Sequence, residues 1–389
     1  GIIRPHGGGE LVQQNISKID FKKIKSLPSL KIDEKTISDI VQISEGVYSP
    51  LTGFMNTEEI NSVLSDYKLL TGETWTLPII LQITQSDVAK LPQNGNTLLI
   101  DSKNGEAVGI LDIQSIENIN SENYIKNWFG TNDENHPGVK EMINRGNYIV
   151  SGKTFLFTSY RHLTKKHHEY SPKQTREIFY HNGWYNIVGF HTRNIPHAGH
   201  EYIQKKALEL SNADAILLSP VTGLKKSGDF SSEVIINCYQ KVIKRGIYKP
   251  KGALLSAFNT YSRYAGPREA VFTAICRKNF GCNNFIIGRD HTGVGGFYPA
   301  DASQKIFDRL DLGMEILTFD NASYCTERKK ITSDFKDSKY DHSRIEISAT
   351  SIRDYLRKSE EIPSYLIRSE LLEFLQDMYK NEPKNIFCE

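Results

Sequence analysis

A chain of 389 residues has room for two or three domains, and its 39% hydrophobic and 24% charged residues are an ordinary globular balance. Its 48 Lys+Arg and 46 Asp+Glu leave a formal net charge of +2, so no global field favours nucleic acid or a membrane surface, and any anion site must be a local arrangement. No apolar run approaches a membrane span, the first residues lack a secretory signal pattern, and five scattered cysteines form no C-x-x-C pair, which predicts a reducing, cytoplasmic setting.

Residues 1–170 carry short strand-like runs broken by turn residues. The clearest are L-P-I-I-L at 77–81, T-L-L-I at 97–100 and V-G-I-L at 108–111, and Asn104-Gly105 between the last two predicts a tight hairpin. The stretch S-G-K-T at 151–154 ends like a P-loop, but Gly146 stands one residue too far back and N-Y-I-V-S in between reads as strand. Ser171-Pro172 opens a helix running toward Gly183, which places a domain boundary near 170. Ile187, Val188 and Phe190 then predict a buried strand, Pro196 the first turn of a helix, Ile203, Ala207 and Leu210 its buried face, and A-I-L-L at 215–218 the next strand. This is one strand–turn–helix–strand unit of a parallel sheet.

The turn of that unit holds Arg193, Asn194, His197 and His200. A helix N-terminus offers free N–H groups and partial positive charge to an anion. His197 and His200, three apart, share one face of the first turn, and Arg193 adds a planar fork suited to an oxyanion. The pattern predicts a phosphate site over a helix start that merely carries two histidines. Further along, P-V-T-G-L-K-K-S-G-D at 220–229 is a polar loop at a strand's carboxyl end, where ligands of open α/β sheets bind. L-L-S at 254–256 reads as another strand, and a helix runs through Val271, Ile275 and Phe280. F-I-I at 285–287 predicts a further buried strand ending in Gly288, Arg289, Asp290, His291, Thr292 and Gly293, whose glycines allow close approach to a ligand. Arg289 and His291 thereby bring donors to the same sheet edge as Arg193 and His197. In the tail, Ser348 or Thr350 suits a helix cap, and Arg353 just beyond can reach either a phosphate or a neighbouring carboxylate.

Several of these strings carry a resemblance. H-T-R-N-I-P-H-A-G-H at 191–200 resembles the ATP sulfurylases, whose usual form is Q-T-R-N-P-x-H-x-x-H, and more broadly the nucleotidyltransferases with an H-x-G-H turn. The strings Y-S-P-L-T-G-F-M at 48–55, G-T-N-D-E-N-H-P-G at 130–138, R-Y-A-G-P-R-E at 263–269, G-R-D-H-T-G-V-G at 288–295 and I-S-A-T-S-I-R at 347–353 are similar to that family's in the same order. The resemblance implies an α/β protein: a mainly β PUA-like domain over 1–170, a Rossmann-like parallel-sheet nucleotidyltransferase domain over 171–335, and a small C-terminal α/β region over 336–389, largely helical at its end. Nothing after it reads as a fused kinase.

The implied reaction is ATP plus sulfate to adenosine 5′-phosphosulfate plus pyrophosphate, by in-line attack of a sulfate oxygen on the α-phosphorus. In that reading Thr192, Arg193, Asn194, His197 and His200 are catalytic. His191, Asn194, His197, His200, Gly288, Arg289, Asp290 and His291 bind ATP, and His191, Arg193 and the Thr292 backbone bind sulfate. Mg2+ arrives with ATP, and no protein metal site is expected. The zinc knuckle of some relatives keeps only Cys325 and His342 here, too few ligands for structural zinc. A homodimer is implied, with no nucleic acid and no membrane. His191 stands where the family carries Gln and Thr292 where it carries Ala. A protonated His191 predicts sulfate binding that weakens as pH rises through about 6.5. Two other readings stay open: an H-x-G-H nucleotidyltransferase with a different acceptor, and a PUA-like RNA-binding protein with a degenerate enzyme domain.

Overall fold

The computed structural model describes residues 1–333 and 342–389. The first 160 residues build one sheet. Its strands are Asn15–Ile16 (β1), Ser29–Ile32 (β2), Gly53–Phe54 (β3), Gln82–Ile83 (β4), Gly95–Asp101 (β5), Ala107–Asn118 (β6) and Tyr148–Phe157 (β7), in the order β1-β7-β6-β5-β2 with β3 and β4 also on β7. The hairpin at Asn104-Gly105 is present: Gly105 takes φ +74 and its N–H reaches Asp101 O at 2.9 Å. The S-G-K-T stretch is ordinary strand within β7, paired to β6. Residues 77–81, expected as a strand, are instead buried extended chain that gives only isolated bonds, such as Met55 N–H to Ile79 O at 2.9 Å. Pro78 has no N–H for a ladder. The helix Glu34–Ser44 (α1) flanks this sheet.

The helix Pro172–Asn182 (α2) starts the second half with a capping box from Ser171 and Gln174 and ends at Gly183 in the left-handed region. Five parallel strands follow: Ile187–Thr192 (β8), Ala215–Pro220 (β9), Gly252–Leu255 (β10), Asn284–Ile287 (β11) and Glu315–Thr318 (β12). Their order is β10-β9-β8-β11-β12, all parallel. The chain winds outward from β8 through β9 and β10, then crosses back to lay β11 on the other side of β8. The switch point therefore lies between β8 and β11, where ligands of such sheets bind. The connecting helices are Ala198–Ser211 (α3), Ser232–Arg245 (α4) and Pro267–Phe280 (α5). The central strands β9 and β11 are buried along their whole length because both faces are covered.

Helix α5 is buried almost throughout and is the wall shared by the two halves. Arg268 in its first turn donates to Leu64 O, Thr76 O and Asn127 O at 2.9–3.1 Å, and Asn279 near its end donates to Val47 O and Ser49 O at 2.8 and 3.0 Å. A small antiparallel sheet, Ser323–Cys325 (β13), Lys330–Thr332 (β14) and Arg344–Glu346 (β15), and the helices Ala349–Arg357 (α6) and Ser369–Asn381 (α7) complete the chain. These last helices pack, with α3 and α4, over one face of the parallel sheet. The expected boundary at 335–336 and part of the knuckle region lie outside the described residues. Among the described residues no helix is long and apolar enough to cross a membrane.

Candidate active site

The carboxyl ends of β8 and β11 open into a cavity of 510 Å3. Of the residues singled out above, His191, Arg193, Asn194, His197, His200, Gly288, Arg289, Asp290 and His291 all line it. Thr192 and Thr292 do not. Thr192 is buried at the end of β8, where its hydroxyl accepts the Asn194 N–H at 3.1 Å and donates to Asn194 O at 3.2 Å. It shapes the turn that presents Arg193 and Asn194.

The start of α3 differs from expectation in one respect. His197, the residue after Pro196, is the N-cap: its Nδ1 accepts the His200 N–H at 3.2 Å, so Pro196 stands just outside the helix instead of in its first turn. An imidazole does here what Ser or Asp usually does. The cap brings the rings of His197 and His200 into a stack with centroids 3.7 Å apart. Burial, then the neighbouring His200, holds His197 well below the usual imidazole range, and burial holds His200 at about 4. Both rings are neutral near pH 7, each with one N–H.

Across the switch point, Asp290 and Thr292 both take left-handed backbone, with φ +55 and +57. For a β-branched residue that conformation costs about 1–3 kcal/mol, and the surroundings must enforce it. They do so through Thr292 Oγ1 to Gly266 O at 2.8 Å and Ser303 Oγ to His291 O at 2.7 Å. The Thr292 hydroxyl is thus committed to Gly266 and neither crowds the cavity nor adds a donor to it. His291 Nε2 meets Thr273 Oγ1 at 3.0 Å, and Arg289 faces Asp320 at 3.6 Å.

His191 does not behave as the sequence suggested. Burial, together with Arg277, His291, Arg193 and Lys225, holds it well below the imidazole range. Burial, Arg277 and Arg193 likewise hold His291 at about 3. A neutral His191 offers one N–H, and among the described residues its Nδ1 has no hydrogen-bond partner. The expected weakening of sulfate binding through pH 6.5 therefore has no titrating group behind it.

The far wall comes from later in the chain. Lys226, Asp229, Asn321, Ser348, Thr350 and Arg353 complete the cavity. Arg353 donates to Gly228 O at 2.7 Å and reaches Asp229 at 3.4 Å, so it spans both alternatives weighed for it: it has a carboxylate neighbour and it faces the cavity. Ser348 caps α6 by accepting the Ser351 N–H at 3.1 Å, so a second helix N-terminus faces the one on α3. Lys225 donates to Arg193 O at 3.0 Å. The polar loop at 220–229 was legible as a ligand loop; the share of Lys226 and Asp229 in it was not, since their approach depends on α6. The strings at 130–138 and 263–269 do not line this cavity. His136 Nε2 and the Tyr264 and Phe129 carbonyls gather around the Tyr298 hydroxyl at 2.8–3.1 Å, behind the site. Among the described residues no group of three or more His, Cys, Asp or Glu side chains is arranged to hold a metal.

A positive cavity at a switch point, flanked by two helix N-termini, is built for a polyanion. Comparison with known proteins agrees in detail. The PUA-like domain model matches residues 3–159 and the ATP-sulfurylase model residues 166–378. The chain is 37% identical over 383 residues to a sulfate adenylyltransferase of Synechococcus sp. (strain JA-3-3Ab), covering 96% of each. It is 36% identical over 380 residues to one of Chloroflexus aurantiacus (strain ATCC 29366 / DSM 635 / J-10-fl), covering 97% of each. A solved hexameric APS kinase from Thiobacillus denitrificans shares the fold, with a TM-score of 0.72 at 20% identity, over 98% of this chain and 69% of that one. The chain belongs to the ATP-sulfurylase family.

Proposed function

We propose that this chain catalyses adenylyl transfer from ATP to sulfate, giving adenosine 5′-phosphosulfate and pyrophosphate. The observation that carries the reading is the stacked, neutral pair His197 and His200 at the start of α3, beside Arg193 at the sheet's switch point. Sulfate is fully ionised at neutral pH and magnesium pyrophosphate leaves without a proton. The reaction therefore asks for donors rather than an acid or a base, and each neutral imidazole supplies one N–H donor. Arg193 takes sulfate with His191, and Thr292 contributes only its backbone N–H. Thr192 and Asn194 set the reacting centre. His197 and His200 donate to the phosphates as charge spreads in the transition state, and Gly288, Arg289, Asp290 and His291 line the nucleotide.

Mg2+ enters as MgATP. Asp229 already has Arg353 as its partner, which supports a metal carried by substrate over one held in a carboxylate cage. The protein itself carries no structural zinc, and elemental analysis of the purified chain checks that: one zinc per chain, lost on Cys325→Ser, contradicts it. The working form is a homodimer in the reducing cytoplasm, where the five free cysteines are stable. The deciding experiment is pyrophosphate release from MgATP with sulfate. Release that depends on sulfate supports the reading. Release only with another acceptor would assign a different nucleotidyltransferase, and salt-sensitive RNA binding without any release would assign the RNA-binding alternative.

A further inference from the structure

Arg277 sits in the interior of α5 and is fully buried. Its guanidinium reaches under the parallel sheet. Nε donates to Ser219 Oγ and Nη2 to Ser219 O, both at 3.1 Å, while Nη1 has no hydrogen-bond partner among the described residues. The faces of Phe258 and Phe285 lie 4.6 and 5.9 Å from its charge centre. The ionisable groups acting on it are the thiols of Cys276 and Cys282 and the Tyr48 phenol, with no carboxylate among them. Burial pushes both thiols up to about 12, so they carry no charge near pH 7. Burial lowers the guanidinium itself only to about 10, so it stays a cation. The sheet makes room for it: a Cβ at Gly189 would stand 3.3 Å from Arg277 Cγ and 3.1 Å from Cys282 Sγ.

A buried cation without an acid costs several kcal/mol, which a chain selected for stability alone would shed. Its position shows what it serves. Ser219 on β9 is the register partner of His191 on β8, and the next residues are Thr192 and Arg193. The Arg277 charge is already felt at the cavity wall, since it contributes to keeping His191 and His291 neutral. Phe285, beside Arg277, also packs edge-on against His291 with centroids 5.7 Å apart.

We propose that Arg277 is a fixed positive charge beneath the floor of the anion site, compensated by the bound substrates instead of by the protein. It touches no substrate atom; it acts through the low-dielectric sheet, where a preset charge stabilises an anion without reorganising. The inference rests on the adenylyl-transfer reading only for the identity of those anions.

The experiment titrates the whole protein with sulfate, perchlorate and pyrophosphate by calorimetry, in the parent, Arg277→Met and Arg277→Lys. Sulfate and perchlorate share a shape and differ in charge, so a field effect scales with charge while a distorted pocket weakens both alike. Arg277→Met should unfold in urea no earlier than the parent. It should lose about tenfold in affinity for sulfate, about threefold for perchlorate and more than tenfold for pyrophosphate. Arg277→Lys should stay within about threefold of the parent for all three, because it keeps the charge. Equal losses for sulfate and perchlorate, or no losses, overturn the proposal. Should Arg277→Met fail to fold, Arg277→Gln takes its place in the same titrations with the same criteria. Turnover of the parent with sulfate is measured separately: its absence would sink the adenylyl-transfer reading while the charge scaling is still read from the titrations.

Discussion

Two buried arginines, one just ahead of α5 and one inside it, are treated in opposite ways. Arg263 pairs with Asp39 on α1, donates to the Tyr48 and Tyr261 hydroxyls at 2.9 Å, and lies 4.4 Å from the Tyr261 ring centre. Asp39 also takes the Tyr261 hydroxyl at 2.7 Å. This cluster joins the N-terminal sheet to the parallel sheet, and its charge is balanced within the chain. Arg277 has a serine and two phenylalanines and no acid. The difference teaches where to look for function: a buried charge balanced by its own fold holds parts together, whereas one left unbalanced waits for a ligand.

The sharpest way to break this contrast is to remove Asp39. Asp39→Ala strands a buried guanidinium and should cost about 3–5 kcal/mol of stability in urea unfolding. Arg277→Met should cost none, and equal losses in the two variants would erase the distinction. Next in size are the stacked histidines at the start of α3. His197→Ala and His200→Ala should each lower kcat about 10²–10³-fold, with a smaller rise in KM for ATP, as expected for donors used in the transition state. Unchanged kcat in both would remove them from the chemistry.

A smaller effect concerns acid. Buried His200 and His291 titrate in the fold at about 4 and about 3, whereas the unfolded chain takes up those protons near about 6.5. The unfolded state therefore binds more protons below that pH, so stability is fully present above it and is lost as pH falls toward the folded values. A melting temperature that does not drop between pH 7 and pH 4 would contradict the burial of these rings. The smallest expected change is at His191. Because it is already neutral in the fold, KM for sulfate should stay flat from pH 6.5 to pH 9 (within about twofold), in the parent and in His191→Gln. A slope present only in the parent would restore a protonated His191.

Much of the site was readable from sequence because it is local. The β8–α3 turn and the β11 loop each carry their donors on consecutive residues, so strand, turn and helix signals place them together. The strands β8, β9 and β11 were equally plain as buried apolar runs, whereas β12, E-I-L-T with exposed ends, carried no such signal. What sequence could not reach depends on contacts distant along the chain. Asp39 and Arg263 meet across the two halves, and Arg353 meets Asp229 only because α6 folds back over the 220–229 loop. Nothing local marks α5 as buried on nearly every side, or singles out Arg277 on it, since its polar residues bond to carbonyls of the N-terminal half. His197 was expected inside the helix because Pro196 reads as its first turn, and the titration expected of His191 leaves out burial and the Arg277, Arg193 and Lys225 cations, which are features of the assembled fold.

One tie described above bears on synthesis. The cavity is closed by Ser348, Thr350 and Arg353, and the first amide of α3 is held by Leu366 O at 2.9 Å. During translation the whole parallel sheet has left the ribosome before either exists. The nascent protein can thus hold its framework for some time while having nothing to clasp a nucleotide with.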